Sequence, residues 1–192
     1  MVTARTPREA WITAGLRALA AGGPQAIRIE ALARALGVSK GSFYWNFDTR
    51  EQLLDGILDA WEQVSVDDVI AIVEGEQPDG STDARSKLAR LGALAASGDD
   101  VLGVDPLTVD LAIRDWARRD ADVGRRLRRV DNRRMDYMRS LFGTLCADAA
   151  EVEERCLVAF SLWIGSHFIA ADHPGRSRAD VVRGAFRRLL EA

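Results

Sequence analysis

The segment GVSKGSFYWNF, residues 37–47, carries four large rings in close succession. Phe43, Tyr44, Trp45 and Phe47 lie within five residues, although aromatic residues make up only 7% of the chain. At about 100° per helical residue, Phe43 and Phe47 fall in one sector, where they would fill a core. The other two rings, Tyr44 and Trp45, fall outside this sector, so packing of one buried helix face does not explain them. We therefore expect two rings to hold this segment in place and two to face a partner.

The opposite side of the same predicted helix carries small and polar residues. Gly41, Ser42 and Trp45 lie away from the buried sector, with Tyr44 and Asn46 beside them. Small residues let a helix approach a groove closely, while hydroxyl and amide groups supply hydrogen bonds there. This face therefore has the composition of a surface that contacts nucleic acid.

Ordinary structural roles are the alternative for these residues. Tyr44 would then be a half-buried surface ring, and Trp45 would pack against a neighbouring helix. Lys40, at the start of the segment, and Arg50, shortly after it, would be solvated charges. The helices predicted around the segment help to decide between these structural roles and contact with a partner.

Two short helices joined by a tight turn are predicted around this segment. The stretch RIEALARAL, residues 28–36, has helical apolar spacing and stops at Gly37. Ser39 is a suitable N-cap for the next helix, which would run to about Phe47. Ala33 supplies a small side chain where the two helices approach. This spacing matches a helix-turn-helix.

The charge distribution separates the first quarter of the chain from the rest. Residues 1–50 contain seven basic and three acidic side chains, a balance of +4, so the totals of 26 and 29 leave −7 for residues 51–192. A basic segment on an acidic remainder favours an anionic partner for the N-terminal part alone.

The first helix has clear boundary signals. Thr6 and Glu9 are spaced as a capping box with Pro7 at the first helical position, and Gly22–Gly23 would end the helix. A single helix of ordinary length is therefore predicted between these signals.

Helical signals continue to the end of the sequence. Thr49 and Gln52 are spaced for a second capping box, and the apolar face that follows continues as far as Val73. No later segment shows sustained β alternation. The sequence predicts an all-α protein of about nine helices, with the helix-turn-helix at 1–48 and a further helical domain at 49–192.

The sequence indicates a cytoplasmic protein without a membrane span. It contains no run of about 18 apolar residues, and its N-terminus lacks an apolar signal core. Cys146 and Cys156 form neither a disulfide framework nor a metal-ligand pattern, so we expect two small hydrophobic side chains in a reducing compartment. No cofactor or metal is predicted.

The segment LARALGVSKGSFYWNFDTREQLL, residues 32–54, resembles the N-terminal DNA-binding region of TetR-family transcriptional regulators. The matching positions are Leu32, Ala33, Gly37, Val38, Ser39, Gly41, Tyr44, Phe47 and Leu53. The resemblance implies a homodimer on a palindromic operator, with the two third helices in successive major grooves about 34–36 Å apart.

Several site residues follow from this resemblance. Tyr44 would contact the DNA backbone, Lys40 and Ser42 would reach bases, and Arg50 would touch phosphate. Asn46 replaces a common His before Phe47 and still donates to phosphate. The predicted DNA-binding set is Arg28, Ser39, Lys40, Gly41, Ser42, Tyr44, Trp45, Asn46 and Arg50, in which Arg28 replaces the usual Ser/Thr cap of the second helix and supplies its own charge.

The resemblance implies a DNA-binding domain at 1–48 and a helical ligand-binding and dimerisation domain at 49–192, with a small-molecule pocket in the second domain. The candidate lining residues are Trp61, Asp110, Arg114, Trp116, Met135, Met138, Phe142, Trp163 and His167. The alternatives are plain core packing for the apolar residues and His167, and interhelical salt bridges for the charged ones.

The last two helices are the best candidates for a dimer interface, because they combine apolar and small residues. The candidates are Leu157, Phe160, Ser161, Ile164, Gly165, Phe168, Val182, Phe186 and Leu189. The competing role is to cover the core of their own subunit, and we expect both roles on different faces.

Three functions are the candidates for a protein with these features. The first is a dimeric regulator, most often a repressor, in which an unknown effector pivots the helix that begins near Arg50. The second, an all-α enzyme, lacks any catalytic constellation in the sequence. The third is a small-molecule-binding or interaction protein of the same fold without DNA binding. The sequence favours the regulator.

Overall fold

The computed structural model describes residues 6–75, 80–97 and 104–191. Within these ranges the chain forms nine α-helices and no strand, which confirms the predicted all-α class. The helices are α1 (Arg8–Gly22), α2 (Ile29–Ala35), α3 (Arg50–Glu62), α4 (Val69–Glu74), α5 (Ala84–Ser97), α6 (Pro106–Ala117), α7 (Ala121–Phe142), α8 (Ala149–Phe168) and α9 (Arg178–Glu191). None of the helices in the described ranges is long and apolar enough to cross a bilayer.

The start of α1 differs from the predicted capping box. The helix begins at Arg8, and Pro7 occupies the N-cap position with φ −66° and ψ 153° and no side-chain cap. The prediction that Thr6 caps the helix was wrong, because the extended ψ of Pro7 keeps this residue outside the helix. The predicted end is confirmed: Gly23 follows α1 with φ 70°, a conformation that favours glycine.

The segment predicted as a third α-helix is a 3-10 helix. It spans Lys40–Trp45 and is called the recognition segment below. The backbone N–H of Ser42 donates to the carbonyl of Ser39 at 3.0 Å, which is the tighter i to i+3 pattern. Only six residues separate the turn at Gly37 to Ser39 from the next turn, so the segment is too short for several α-helical turns.

The long apolar helix predicted from Thr49 to Val73 is interrupted. Its start is confirmed, because the N–H of Gln52 donates to Oγ1 of Thr49 at 3.2 Å. A π-helical stretch, Gln63–Asp68, then separates α3 from α4. A π turn accommodates an extra residue, so it shifts the apolar face by about one position.

The chain forms two compact units. The first comprises the described residues within 1–65 and 100–128, and the second comprises those within 66–99 and 129–192. The first unit contains the predicted helix-turn-helix, packed chiefly through contacts of α1 with α3 and α6. Its buried residues include Trp11, Leu16, Leu19, Ile27, Leu32, Phe43, Leu53, Ile57, Trp61 and Ile113. A functional boundary at residue 48 stays a prediction.

The second unit is built around α5, α7, α8 and α9. Its core contains Leu88, Met138, Leu141, Phe142, Val152, Cys156, Ala159, Phe186 and Leu190. Both cysteines are free, and burial raises the pKa of the Cys156 thiol to about 11. Cys156 thus behaves as the small buried hydrophobic side chain that the sequence predicts, while Cys146 is half-buried.

Candidate nucleic-acid interface

Aromatic packing fixes the recognition segment to the first unit. Phe43 is fully buried, and its ring lies 5.4 Å from Trp11 in an edge-on arrangement and 5.3 Å from Phe47 in a stacked one. Trp11 belongs to α1 and Phe47 precedes α3, so Phe43 joins the segment to both helices. Buried aromatic pairs of this kind add about 0.5–1.5 kcal/mol each beyond their area burial.

The other two rings face solvent, as the sequence predicts. The relative exposure is 53% for Tyr44 and 72% for Trp45. Ser39, Lys40 and Gly41 are exposed beside them, and Ser42 is half-buried. The predicted groove-facing residues of this segment are therefore at least partly accessible to solvent.

Gly41 is not required by the packing of the chain itself. A β carbon added there would meet only Oγ of Ser39 within 4 Å, at the ordinary contact distance of 3.7 Å. Its φ is not positive either. The close approach of an external partner is therefore one reason to keep the smallest side chain at this point.

Asn46 is engaged inside the chain. Its Nδ2 donates to the carbonyl of Thr6 at 3.1 Å and to the carbonyl of Ser42 at 3.3 Å. A side-chain amide nitrogen carries two hydrogens, so these bonds use its donor capacity. Asn46 thus ties the start of α1 to the recognition segment, and the predicted phosphate contact stays a prediction.

Arg28 and Arg50 lie on either side of the recognition segment in the sequence, and of the two only Arg50 is held by backbone carbonyls within the described part of the chain. Arg50 donates through Nε to the carbonyl of Ile27 at 2.8 Å and through Nη2 to that of Pro24 at 2.6 Å. It therefore fastens the connection between α1 and α2 to the start of α3. Arg28 is exposed at the N-cap position of α2, where its side chain makes no capping hydrogen bond.

Lys40 is paired with an acid that the sequence analysis did not single out. Its Nζ lies 2.6 Å from Oε1 of Glu30, in the first turn of α2. The hydrogen bond from Lys40 holds the pKa of Glu30 below its ordinary value, and the same bond raises the pKa of Lys40. The ten-residue separation gives no helical spacing signal, so the contact appears only once the turn is folded.

Three of the predicted pocket residues come together in the first unit. Asp110 is fully buried, and Nε1 of Trp61 donates to its Oδ1 at 3.3 Å. Nε of Arg114 donates to Oδ2 of Asp110 at 2.7 Å. This ion pair lies within α6, four residues apart, whereas the alternative to ligand binding that the sequence left open was a salt bridge between helices. Trp116 is also buried in this unit.

A small cavity lies beside this group. It is lined by Leu16, Trp61, Val64, Ser65, Val104, Pro106 and Val109 and has a volume of about 20 Å³. That space holds about one water molecule, whereas pockets for organic ligands measure about 300–1,000 Å³. Trp61 is the predicted pocket residue that lines it.

The other predicted pocket residues lie in the second unit. Met138 and Phe142 are buried in its core and Met135 packs against that core, which is the plain packing role left open above. The guanidinium of Arg134 lies 5.0 Å from the ring centre of Trp163. His167 is exposed near the end of α8.

The predicted dimer residues divide between two faces. On α8, Leu157 and Phe168 have relative exposures of 61% and 70%, and Ser161 is exposed between them. Ile164 and Gly165 are half-buried on the same stretch. Leu157, Ser161, Ile164, Gly165 and Phe168 are called the α8 face below.

The α9 candidates pack inward. Val182 and Phe186 are buried, and a β carbon at Gly92 of α5 would lie 2.4 Å from Cδ1 of Phe186. Leu189 and Phe160 are partly buried against the same core. These three residues of α9, and Phe160 of α8, take the competing role of covering the core of their own subunit. α9 packs on both α5 and α8.

An arginine on α7 contacts three acids of α3 and was missed in the sequence. Nε of Arg126 lies 2.5 Å from Oε1 of Glu62, and Nη2 contacts Oδ1 of Asp59. Nη1 lies 3.8 Å from Oδ1 of Asp55. The acids recur at positions 55, 59 and 62 on one helix face, but the sequence does not indicate which of many arginines meets them.

Comparison with known proteins agrees with the helix-turn-helix described above. Residues 12–57 match the model of the bacterial regulatory proteins of the tetR family. A search of curated protein sequences finds no match.

Solved structures extend the similarity along the chain. A proposed transcriptional regulator from Saccharomonospora viridis, crystallised in complex with choline, has a TM-score of 0.77 at 19% identity and covers 96% of this chain and 95% of its own. A transcriptional regulator from Rhodococcus sp. Rha1 has a TM-score of 0.71 at 16% identity, with coverages of 97% and 95%. A tetR-family regulatory protein from Rhodococcus RHA1 has a TM-score of 0.66 at 18% identity, with coverages of 97% and 96%.

At these identities the structural likeness concerns the fold, and the family match covers the helix-turn-helix. Residues 12–57 therefore match the tetR family of bacterial regulatory proteins, and along nearly its whole length the chain has a fold that solved transcriptional regulators share.

Proposed function

We propose that this protein is a dimeric, sequence-specific DNA-binding repressor that an organic effector releases from a palindromic operator. It acts in the cytoplasm, without catalytic activity and without a metal or cofactor. The observation that carries the DNA-binding part is the recognition segment: Phe43 is fully buried, while Tyr44 and Trp45 beside it are exposed. Adjacent exposed rings rimmed by polar residues are the kind of surface that marks an interaction site.

The surface around these rings suits a duplex. Tyr44 offers a hydroxyl for a backbone phosphate, and Ser42 and Lys40 offer a hydroxyl and an ammonium group for base edges. The basic balance of residues 1–50 supplies attraction to the phosphates. In this proposal the remaining predicted contacts, Arg28 and Arg50 among them, position the segment along the backbone.

Dimerisation is supported by the α8 face. Leu157 and Phe168 are apolar and largely exposed, and a β carbon at Gly165 would meet no atom within 4 Å. An exposed apolar row with small residues lets two helices pack closely across a twofold axis. Two recognition segments held in one dimer would then read two half-sites of a palindrome.

Release by an effector is supported by the position of α3. α3 begins at Arg50, next to the recognition segment, and Trp61 near its other end bonds to the buried Asp110. A ligand that changed the position of α3 would therefore change the position of the segment. The fold neighbour crystallised with choline shows that one protein of this fold binds a small organic molecule.

A protein of the same fold without functional DNA binding is the second candidate. The internal engagement of Asn46 and the presence of Arg28 at the α2 cap are the features that favour it. Binding through phosphates weakens steeply with salt. A gel shift at low and moderate salt therefore separates a DNA-binding protein from this alternative.

The decisive experiment is selection of bound duplexes from a random library by the purified protein, followed by affinity measurement with Tyr44→Phe. We expect an enriched palindrome, and about 10-fold or greater loss of affinity in the variant, because each subunit loses a phosphate hydrogen bond worth about 1 kcal/mol.

The other tyrosine provides a matched control. The hydroxyl of Tyr137 donates to Oε1 of Glu74 at 2.8 Å in the second unit, so Tyr137→Phe removes the same group far from the recognition segment in sequence. We expect it to leave operator affinity unchanged. If no sequence is enriched even at low salt, the DNA-binding proposal is wrong.

A further inference from the structure

The ion pair between Glu30 and Lys40 lies on the surface that the recognition segment presents. Nζ of Lys40 is 2.6 Å from Oε1 of Glu30, and the two side chains have relative exposures of 53% and 62%. Lys40 opens the recognition segment, whereas Glu30 lies in the first turn of α2. The pair therefore joins the two halves of the helix-turn-helix on its solvent side.

Stability does not account for the position of this acid. Exposed ion pairs contribute about 0–1 kcal/mol, because water screens both charges. Glu30 is also one of only three acids in the first 50 residues, where the balance is strongly basic. A carboxylate next to a DNA-facing lysine repels phosphates and opposes general DNA binding.

A carboxylate that repels phosphates, placed on a surface proposed to bind DNA, points to a role in selectivity. The inference rests on the DNA-binding function proposed above. We propose that Glu30 is a specificity-determining residue that acts through Lys40. The carboxylate competes with phosphate for the lysine and so penalises binding through the backbone alone. It also restrains the ammonium group near the start of the recognition segment.

The chemistry of the ammonium group leaves room for a base contact. An ammonium carries three N–H donors, and Glu30 accepts one of them. The others suit the O6 and N7 acceptors on the major-groove edge of guanine. Such a contact is compatible with the ion pair, whereas full neutralisation of a phosphate by Lys40 is not.

The test compares wild type with Glu30→Gln on two fluorescently labelled duplexes. One is the selected operator and the other is a scrambled duplex of the same length and base composition, and anisotropy titrations are made over a range of KCl concentrations. Glu30→Gln keeps the shape of the side chain and an acceptor for Lys40 but removes the negative charge.

We expect affinity for the scrambled duplex to rise about 5-fold and affinity for the operator to rise less than 2-fold, so that the specificity ratio falls. The slope of log affinity against log salt on the scrambled duplex should steepen by about one per subunit, because Lys40 then neutralises a phosphate.

Further variants test whether Glu30 acts through Lys40. In a Lys40→Gln background, Glu30→Gln should no longer change the specificity ratio. The matched control is Glu51→Gln, since Glu51 is an exposed acid in the first turn of α3 for which the described part of the chain shows no ion pair. It should change both affinities by the same factor. Thermal unfolding of every variant checks that the fold is kept.

Two outcomes overturn the inference while the proposed function stands. An enriched operator with an unchanged specificity ratio in Glu30→Gln would exclude a role in selectivity. An effect of Glu30→Gln that persists fully in the Lys40→Gln background would show a general repulsion independent of the pair. Failure of the wild type to enrich any duplex would instead remove the proposed function, and this inference with it.

Discussion

At the scale of single residues, Phe43 determines what its neighbours can do. Its ring contacts Trp11 and Phe47 inside the first unit, so the backbone around it cannot rotate without emptying the core. Tyr44 and Trp45 follow directly in the chain and are therefore directed outward. One buried ring thus sets the orientation of the two exposed ones.

Gly15 is a second residue whose environment leaves no room for a side chain. A β carbon there would lie 2.3 Å from Cδ1 of Ile57 and 2.9 Å from its Cγ1, so α1 and α3 approach closely at this point. We expect Gly15→Ala to lower the free energy of unfolding by about 1–2 kcal/mol. Overpacking costs about 1–3 kcal/mol and exceeds the gain in helix propensity of about 1 kcal/mol. Urea denaturation measures the change.

Two further variants control this prediction. Adding Ile57→Val removes the Cδ1 methyl group that clashes, so the double variant should be more stable than the sum of the single effects. Gly184→Ala in α9 meets only the end of the Arg176 side chain, at 3.4 Å, and should be neutral or slightly stabilising. Strict additivity of the first pair would contradict the close-contact explanation.

The residue-scale predictions from sequence were right where they depended on local periodicity. The burial of Phe43 and the exposure of Trp45 follow from angular spacing alone. The bond from Asn46 to Thr6 and the pair of Lys40 with Glu30 join residues 40 and 10 positions apart. No local pattern specifies such partners, because they depend on how the turn places the helices.

At the scale of elements, short segments departed from ideal α-helix. Capping signals located the start of α3 at Thr49, because a cap is a contact between residues three apart. The recognition segment became a 3-10 helix, and a π stretch at residues 63–68 divided a continuous apolar pattern. Both departures preserve the burial of apolar residues, so the hydrophobic pattern that predicts a helix does not distinguish between them.

The contact of α7 with α3 gives the element-scale prediction. Arg126 is largely buried between Asp59 and Glu62, so Arg126→Gln leaves neighbouring carboxylates on α3 without their shared cation. We expect the free energy of unfolding to fall by about 1–2 kcal/mol, a value reduced from that of a buried pair because Asp59 is exposed. Chemical denaturation at neutral pH measures it.

The adjacent arginine is the control for this change. Arg125 pairs with Asp122 within α7, and both side chains are strongly exposed. Arg125→Gln removes the same charge from the same helix and should leave stability unchanged within about 0.5 kcal/mol. Equal effects of the two variants would mean that net charge, and not the contact with α3, is responsible.

At the scale of the whole molecule, the similarity of fold extends beyond the 46 residues that match the family model to nearly the complete chain. The sequence predicted this architecture because helix signals and the helix-turn-helix motif are local. It did not predict which of the candidate interface residues are buried within the single chain. Val182 and Phe186, both buried within the chain, show the reason, since a core face and an interface can have the same apolar composition.

The α8 face provides the prediction at this scale. Leu157→Glu places a carboxylate on a side chain that is 61% exposed in the single subunit, so the helical fold should persist. If the α8 face forms the dimer, the dimer dissociation constant should rise about 30-fold or more, since an unpaired buried charge costs at least about 2 kcal/mol.

Ile72→Glu is the matched control, because Ile72 is a 47% exposed apolar residue of α4 outside the α8 face. Sedimentation equilibrium of the three proteins measures the association. A wild type that stays monomeric, or equal weakening by both variants, would contradict the assigned interface.

The exposure of Trp45 has a spectroscopic consequence. The chain has five tryptophans: Trp11, Trp61 and Trp116 are buried, Trp163 is half-buried, and Trp45 alone is largely exposed. An indole in water emits at longer wavelength and is quenched by iodide, whereas a buried indole is shielded. The long-wavelength edge of the intrinsic fluorescence therefore belongs to the proposed DNA-facing surface, and the protein carries its own optical probe at that point.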